Sequence, residues 1–249
     1  MDNAKSYSDY RLHREIGKIL GGRSENKRDI RDIAKSMVEW GRVGRMLDLG
    51  CGYGWFEDAL EVKIDFIAGI DSLEENGPPF IGSAKRVAQG VVFKQLVLPA
   101  PIDFPSDGFD LIISAYSLYF FPGILSEVKR LLRKEGIIVV ITHSESMLEE
   151  GEKHFNFSNL RNVIENFSAE NGEDILKKYF SSVTFVDYKN SLLFERGNEA
   201  ELSLYIDFKR EFIREDVDPD LVKETMLREL SQKGEVCLNK NDRIFLARK

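Results

Sequence analysis

Residues 45–54 read RMLDLGCGYG: a short apolar run carrying one acid, then glycine at every second position. Glycine tolerates positive φ and lets bare backbone approach a ligand. An apolar run that stops at such a turn reads as a buried strand whose carboxyl end faces a binding site. That combination belongs to an open parallel sheet covered on both faces, with ligands at the carboxyl edge where the strand order reverses. The rest of the chain must then supply matching strands and helices.

Further apolar runs lie at 66–70, 91–97, 109–115 and 137–142, and the stretches between them have helical periodicity. The clearest helix is 124–133, with Leu125, Val128, Leu131 and Leu132 on one side, basic residues in its last turn and Gly136 beyond it. Five strand–helix alternations predict a doubly wound α/β fold. Two later runs, 183–188 and 243–247, bring the expectation to a Rossmann-like, mostly parallel sheet of seven strands. A helix is expected to begin near Trp55 and offer free N–H groups to the site. Residues 1–40 read as a helical cap in two helices divided by Gly21-Gly22, and 157–179 as mostly helical. Helices at 200–213 and 221–230 read as an insertion or lid, spanning 194–230, before the last strand. All 249 residues are expected to form one domain around a cofactor-binding core at 43–145.

The glycine turn could serve a dinucleotide, whose spacing is G-x-G-x-x-G. Here Trp55 stands where the third glycine would be and would hold helix and strand apart. Asp48, just before the first glycine, would repel a pyrophosphate and suits a cation such as S-adenosylmethionine, which carries a sulfonium and an ammonium. Asp71, ending the second strand, can accept hydrogen bonds from a ribose diol; its plainer role is to cap the next helix.

Charge narrows the partners. The 35 Lys and Arg against 42 Asp and Glu leave a net charge of −7, so no general field draws in nucleic acid or anionic membrane. No run approaches the ~18 apolar residues of a membrane span. Residues 1–14 lack the apolar stretch of a signal peptide. Two cysteines, Cys51 and Cys237, make neither a disulfide framework nor a zinc quartet, and the three histidines lack metal-ligand spacing. A cytoplasmic protein without a metal is the expectation.

With LDLGCGYG at 47–54, GID at 69–71, FPSDGFDLIISAYSLYF at 104–120 and LSEVKRLLRKEGIIVVIT at 125–142, the chain resembles the class I S-adenosylmethionine-dependent methyltransferase family, in its small-molecule, type 11-like branch. The resemblance covers about 43–145, with an echo at 243–248. It implies that Gly50, Cys51, Gly52, Tyr53 and Gly54 line the methionine part of S-adenosyl-L-methionine, and that Asp48 orders that loop. It also implies that Asp71 binds the ribose, that Ser72 or Leu73 lies against the adenine, and that Ser114 and Ala115 flank the methionine moiety and the reacting methyl. The family often has an acid after the third strand; here Val97, Leu98 and Pro99 are apolar, so adenine would rest on backbone and on packing at Leu98. A histidine often follows the fourth strand; here the chain reads Tyr116-Ser117-Leu118-Tyr119-Phe120-Phe121.

Methyl transfer from a sulfonium depends mainly on alignment, and a base is needed only if the acceptor enters protonated. His143, directly after the fifth strand, is the candidate base; a capping role is the alternative. Tyr116 and Tyr119 are candidates to orient an acceptor, or are packed aromatics. Tyr7, Tyr10, Arg11 and Arg14 lie where a cap could close, whereas His13 and His154 have no helpful context. The expected acceptor is a small molecule methylated at oxygen, nitrogen or carbon. The alternatives are a protein or RNA methyltransferase and an inactive S-adenosylmethionine-binding module. SAYS at 114–117, where base-modifying enzymes carry N-P-P-Y or D-P-P-Y, argues against nucleic acid.

Overall fold

A computed structural model describes residues 9–150, 158–213 and 217–249; Tyr7 and His154 lie outside the described residues. The strands are β1 (Arg45–Leu49), β2 (Ile64–Asp71), β3 (Ala88–Gln95), β4 (Phe109–Ala115), β5 (Leu132–His143), β6 (Ser182–Tyr188), β7 (Ser191–Glu195), β8 (Glu235–Asn239) and β9 (Asp242–Arg248). Seven of them form one sheet in the order β3-β2-β1-β4-β5-β9-β6, parallel except where β9 runs against both β5 and β6. This is the expected mostly parallel, doubly wound sheet.

Its core follows from the pleat. Along β5 the side chains of Ile138 and Val140 enter the core on one face, while Ile137, Val139 and Ile141 enter the core on the other. Successive side chains alternate faces, so a strand covered on both sides must be apolar at nearly every position. One face packs α4 (Leu125–Leu131) and α6 (Gly172–Lys177). The other packs α2 (Ile30–Ser36) and α3 (Gly77–Ala84).

A third core stands apart from the sheet. It joins Ile16 and Ile19 of α1 (Tyr10–Arg23) to α7 (Glu199–Lys209), α8 (Pro219–Lys233) and the antiparallel ribbon β7–β8. The region 1–40 is therefore divided: α1 belongs with the late helices and α2 with the sheet. Polar contacts bind the two ends of the chain together. Arg23 Nε donates to Glu201 at 2.5 Å, and Glu25 N donates to the Ser191 carbonyl at 2.9 Å.

Several local expectations change. Gly21-Gly22 does not divide two helices; both lie inside α1, where burial of Ile16 and Ile19 and the Asp9 N-cap outweigh the weak helix propensity of glycine, about 1 kcal/mol each. No α-helix begins at Trp55; a turn and a short 3-10 segment at Glu57–Ala59 follow the glycines. The 157–179 helix is broken into α5 (Ser158–Ile164) and α6. Between them Ser168 N donates to Asn171 Oδ1 at 2.8 Å, and Asn171 N to Ser168 Oγ at 3.1 Å. β7 and β8 are additions to the predicted elements. No described helix is long and apolar enough to cross a membrane.

Candidate active site

β1, β2, β4 and β5 all end at one edge of the sheet, and a cavity of about 670 Å³ opens there. Asp48, Gly50, Cys51, Gly52, Tyr53, Asp71, Ser72 and Leu98 line it, as do Tyr116, Tyr119 and His143. Two expected residues are not on its wall. Gly54 is turned into α3, where a Cβ would stand 2.9 Å from the Ser83 Cβ. Ser114 is fully buried beneath the turn and shares a 2.6 Å hydrogen bond with Ser117, whose hydroxyl donates to the Leu49 carbonyl. Ser117, which spacing did not single out, faces the cavity in its place.

The glycine turn needs its glycines for different reasons. Gly50 (φ 69°) leaves no room for a Cβ, which would lie 2.5 Å from Ser117; Gly52 (φ 50°) faces open space. The Gly50 and Cys51 amides donate to the Ile70 carbonyl, Gly52 N to Asp71 Oδ2, and Gly54 N to the Cys51 carbonyl. With these N–H groups spent and no helix beginning there, the turn has little with which to hold a phosphate.

Acids gather instead. Asp48 and Glu57 are buried side by side as a carboxyl pair, and Asp48 Oδ1 and both Glu57 carboxylate oxygens receive no hydrogen bond from an amide, hydroxyl or basic side chain among the described residues. Burial drives the Asp48 carboxyl well above its ordinary pKa, with Glu57 adding to the effect; burial raises Glu57 to about 7. Asp71, half-buried, also accepts at Oδ1 from Leu73 N (3.0 Å) and Asn76 Nδ2 (3.1 Å). It thus both caps the turn after β2 and pins the glycine loop, and a carboxylate's roughly four acceptor positions leave room for one more donor.

The far end of the cavity is basic and aromatic. β9 runs antiparallel to β5, so its first residue, Asp242, lies opposite His143, the last of β5. Asp242 Oδ1 is 2.6 Å from His143 Nδ1, and Oδ2 accepts from Tyr116 (2.7 Å) and Lys240 (2.8 Å). Burial opposes the charge on Asp242, but Lys240 and His143 outweigh it and hold the carboxyl below its ordinary range. Burial lowers His143 to about 4 against the opposing pull of Asp242, so the ring is neutral near pH 7. A neutral ring facing an ionised Asp242 donates from Nδ1, which leaves the Nε2 lone pair free to take a proton. Tyr116 and Tyr119 stack on the imidazole with centroids 4.6 and 5.9 Å away. Tyr116 sits at φ 56°, an unusual conformation for a bulky residue. From above, His13 of α1 reaches between Tyr53 and Phe208, with Lys209 of α7 beside it on the wall. Of these, Lys240, Asp242 and Lys209 escaped sequence reasoning. The available signal was an acid standing immediately before the expected strand at 243–247, at Asp242.

A family model described as a methyltransferase domain matches residues 42–183, more than half of the chain. None of the curated protein sequences compared with the chain matches it. Among solved structures, YcgJ from Bacillus subtilis is similar at 18% identity and TM-score 0.61, over 88% of this chain and 97% of that one. A Bacillus halodurans protein assigned to the methyltransferases gives 13% identity and TM-score 0.60, over 88% and 98%. The [4+2]-cyclase SpnF gives 14% and 0.53, over 88% and 79%. At these identities the structural likeness carries the fold alone, and the family model carries the chemistry. Sheet order, glycine turn and family match agree: the chain belongs to the methyltransferase-domain family, enzymes of the class I type that use S-adenosylmethionine.

Proposed function

We propose that the protein methylates a small molecule, with Asp48, the Gly50–Gly54 turn, Ser72, Asp71 and Leu98 holding the donor and His143 serving as the base. The observation that carries this reading is one cavity that is acidic at the glycine turn and holds a His–Asp pair at its other end. The donor fits the acidic end: the buried Asp48–Glu57 carboxyl pair has no cationic partner among the described residues, and the Asp71 carboxylate has capacity for a hydroxyl. Bound there, S-adenosylmethionine supplies an electrophilic methyl on its sulfonium.

His143 Nε2 then takes the proton of a hydroxyl or ammonium acceptor, and Asp242 stabilises the imidazolium that forms. Tyr116 commits its hydroxyl to Asp242 and, with Tyr119, holds the ring by stacking, so both act as positioning residues. α1 and α7 serve as cap and lid over the acceptor end, which favours a metabolite over a polymer.

Titration with S-adenosylmethionine, S-adenosylhomocysteine and NAD tests the donor end; binding of NAD alone would overturn it. For the base, His143→Ala is expected to slow methyl transfer by about 10²–10⁴-fold while S-adenosylhomocysteine binding stays unchanged. An unaltered turnover at saturating acceptor would remove His143 from the chemistry.

A further inference from the structure

The two ends of the cavity differ in chemistry: carboxyl groups gather at the glycine turn and basic side chains at the acceptor end. Four basic side chains reach it from separate parts of the chain: His13 from α1, His143 from β5, Lys209 from α7 and Lys240 from the turn before β9. One buried acid, Asp242, stands among them, and it is committed to Lys240, His143 and Tyr116. Lys209 is buried, on the cavity wall, and has no carboxylate within 4 Å among the described residues. Its ammonium lies 5.4, 5.5 and 5.9 Å from the ring centroids of Phe212, Phe208 and Tyr205.

A lysine ammonium is strongly hydrated, and burying one without a counter-ion is costly. Ring faces offset part of that cost through cation–π attraction. The remainder is visible in the titration: burial pulls Lys209 down to about 7, with Lys240 adding repulsion. A site that keeps such a group at a ligand wall is complementary to an anion. Lys209 contributes a single charge, which matches a carboxylate and not a phosphate dianion. The aromatic walls match a flat apolar body.

We propose that the methyl acceptor is an apolar carboxylic acid whose carboxylate pairs with Lys209, which makes Lys209 the residue that selects charged over neutral acceptors. This rests on the small-molecule methyltransferase reading.

The probes are benzoate, 4-hydroxybenzoate and cinnamate, their neutral amides, and phenyl phosphate. Each is titrated by calorimetry into protein saturated with S-adenosylhomocysteine. At least one acid is expected to bind about tenfold or more tighter than its amide. That preference should vanish in Lys209→Met and survive in Lys209→Arg, with S-adenosylhomocysteine affinity unaltered in both. Amides binding as well as acids, phenyl phosphate binding better than any acid, no binding of any acid, or an undiminished preference in Lys209→Met would each overturn the proposal. The acid–amide comparison on the unmodified protein decides even if the variants fail to fold. Failure of S-adenosylhomocysteine to bind would instead sink the donor-end reading.

Discussion

At the scale of single residues, the glycine turn separates two demands that look alike in sequence. Gly50 and Gly52 both have positive φ, which costs a side-chain-bearing residue about 1–2 kcal/mol. Only Gly50 also abuts another residue: a Cβ there would lie 2.5 Å from Ser117, which anchors the turn to β1 through the Leu49 carbonyl. Gly50→Ala is expected to lower stability by more than about 2 kcal/mol. Gly52→Ala should lower it by about 1 kcal/mol, yet weaken S-adenosylhomocysteine binding, because its new methyl group projects toward the cavity. Urea denaturation and calorimetry on the two variants measure both quantities. Equal stability losses would show that the contact with Ser117 is irrelevant. Asp71 teaches the same caution: capping and binding are compatible roles for one carboxylate, since each of its oxygens has two acceptor positions.

Among the elements, the paired ribbon and helices of the third core matter most. β7 buries Leu192 and Phe194 against Val236 and Leu238 of β8, and α7 and α8 cover one face of that ribbon. Two strands alone are marginal in water; the helices and α1 supply the missing apolar cover. α8 ends at Gly234 (φ 88°), whose amide donates to the Leu230 carbonyl and lets the chain turn into β8. Gly234→Ala forces a side chain into left-handed backbone at that cap, and about 1 kcal/mol of stability should be lost. The loss belongs to the third core, so hydrogen exchange should quicken in β8 and α8 while the sheet stays protected. Uniform quickening across β1, β4 and β5 would show that the third core and the sheet unfold as one.

For the whole molecule, burying neutral bases ties stability to pH. His143 titrates near 4 in the fold and at 6.5 when unfolded, so between those values the unfolded chain holds more protons. Stability from this group is complete above pH 6.5, falls as pH drops, and is gone by about pH 4; the full amount is about 3 kcal/mol. His13, lowered to about 4 by burial and then by Lys209, acts in the same direction. Glu57, raised to about 7 by burial, acts oppositely, holding a proton in the fold that the unfolded chain releases. Comparison of the unmodified protein with His143→Asn cancels the shared contributions. Moving from pH 7.5 to pH 5, the unmodified protein should lose about 2 kcal/mol more than the variant. Identical acid responses in denaturant titrations would mean that His143 is not held neutral by burial.

What the sequence alone determined was everything written locally. Strands buried on both faces declare themselves as unbroken apolar runs, and the turn declares itself because only glycine accepts its backbone at Gly50. Asp48 and Asp71 were legible because each adjoins a strand end, where the sheet edge must be. What the tertiary structure decided was which distant segments meet there. Asp242 reaches His143 only because β9 runs antiparallel, which carries its first residue to the edge where β5 ends. Lys209 and His13 reach the cavity only because α1 and α7 share a core although their sequences lie far apart. Helical periodicity revealed the apolar stripes, but the partners of those stripes and the charges they carry over the site follow from packing. The glycine-turn end of the cavity was therefore readable in advance; at the opposite end His143, Tyr116 and Tyr119 were legible, and Asp242, Lys240 and Lys209 were not.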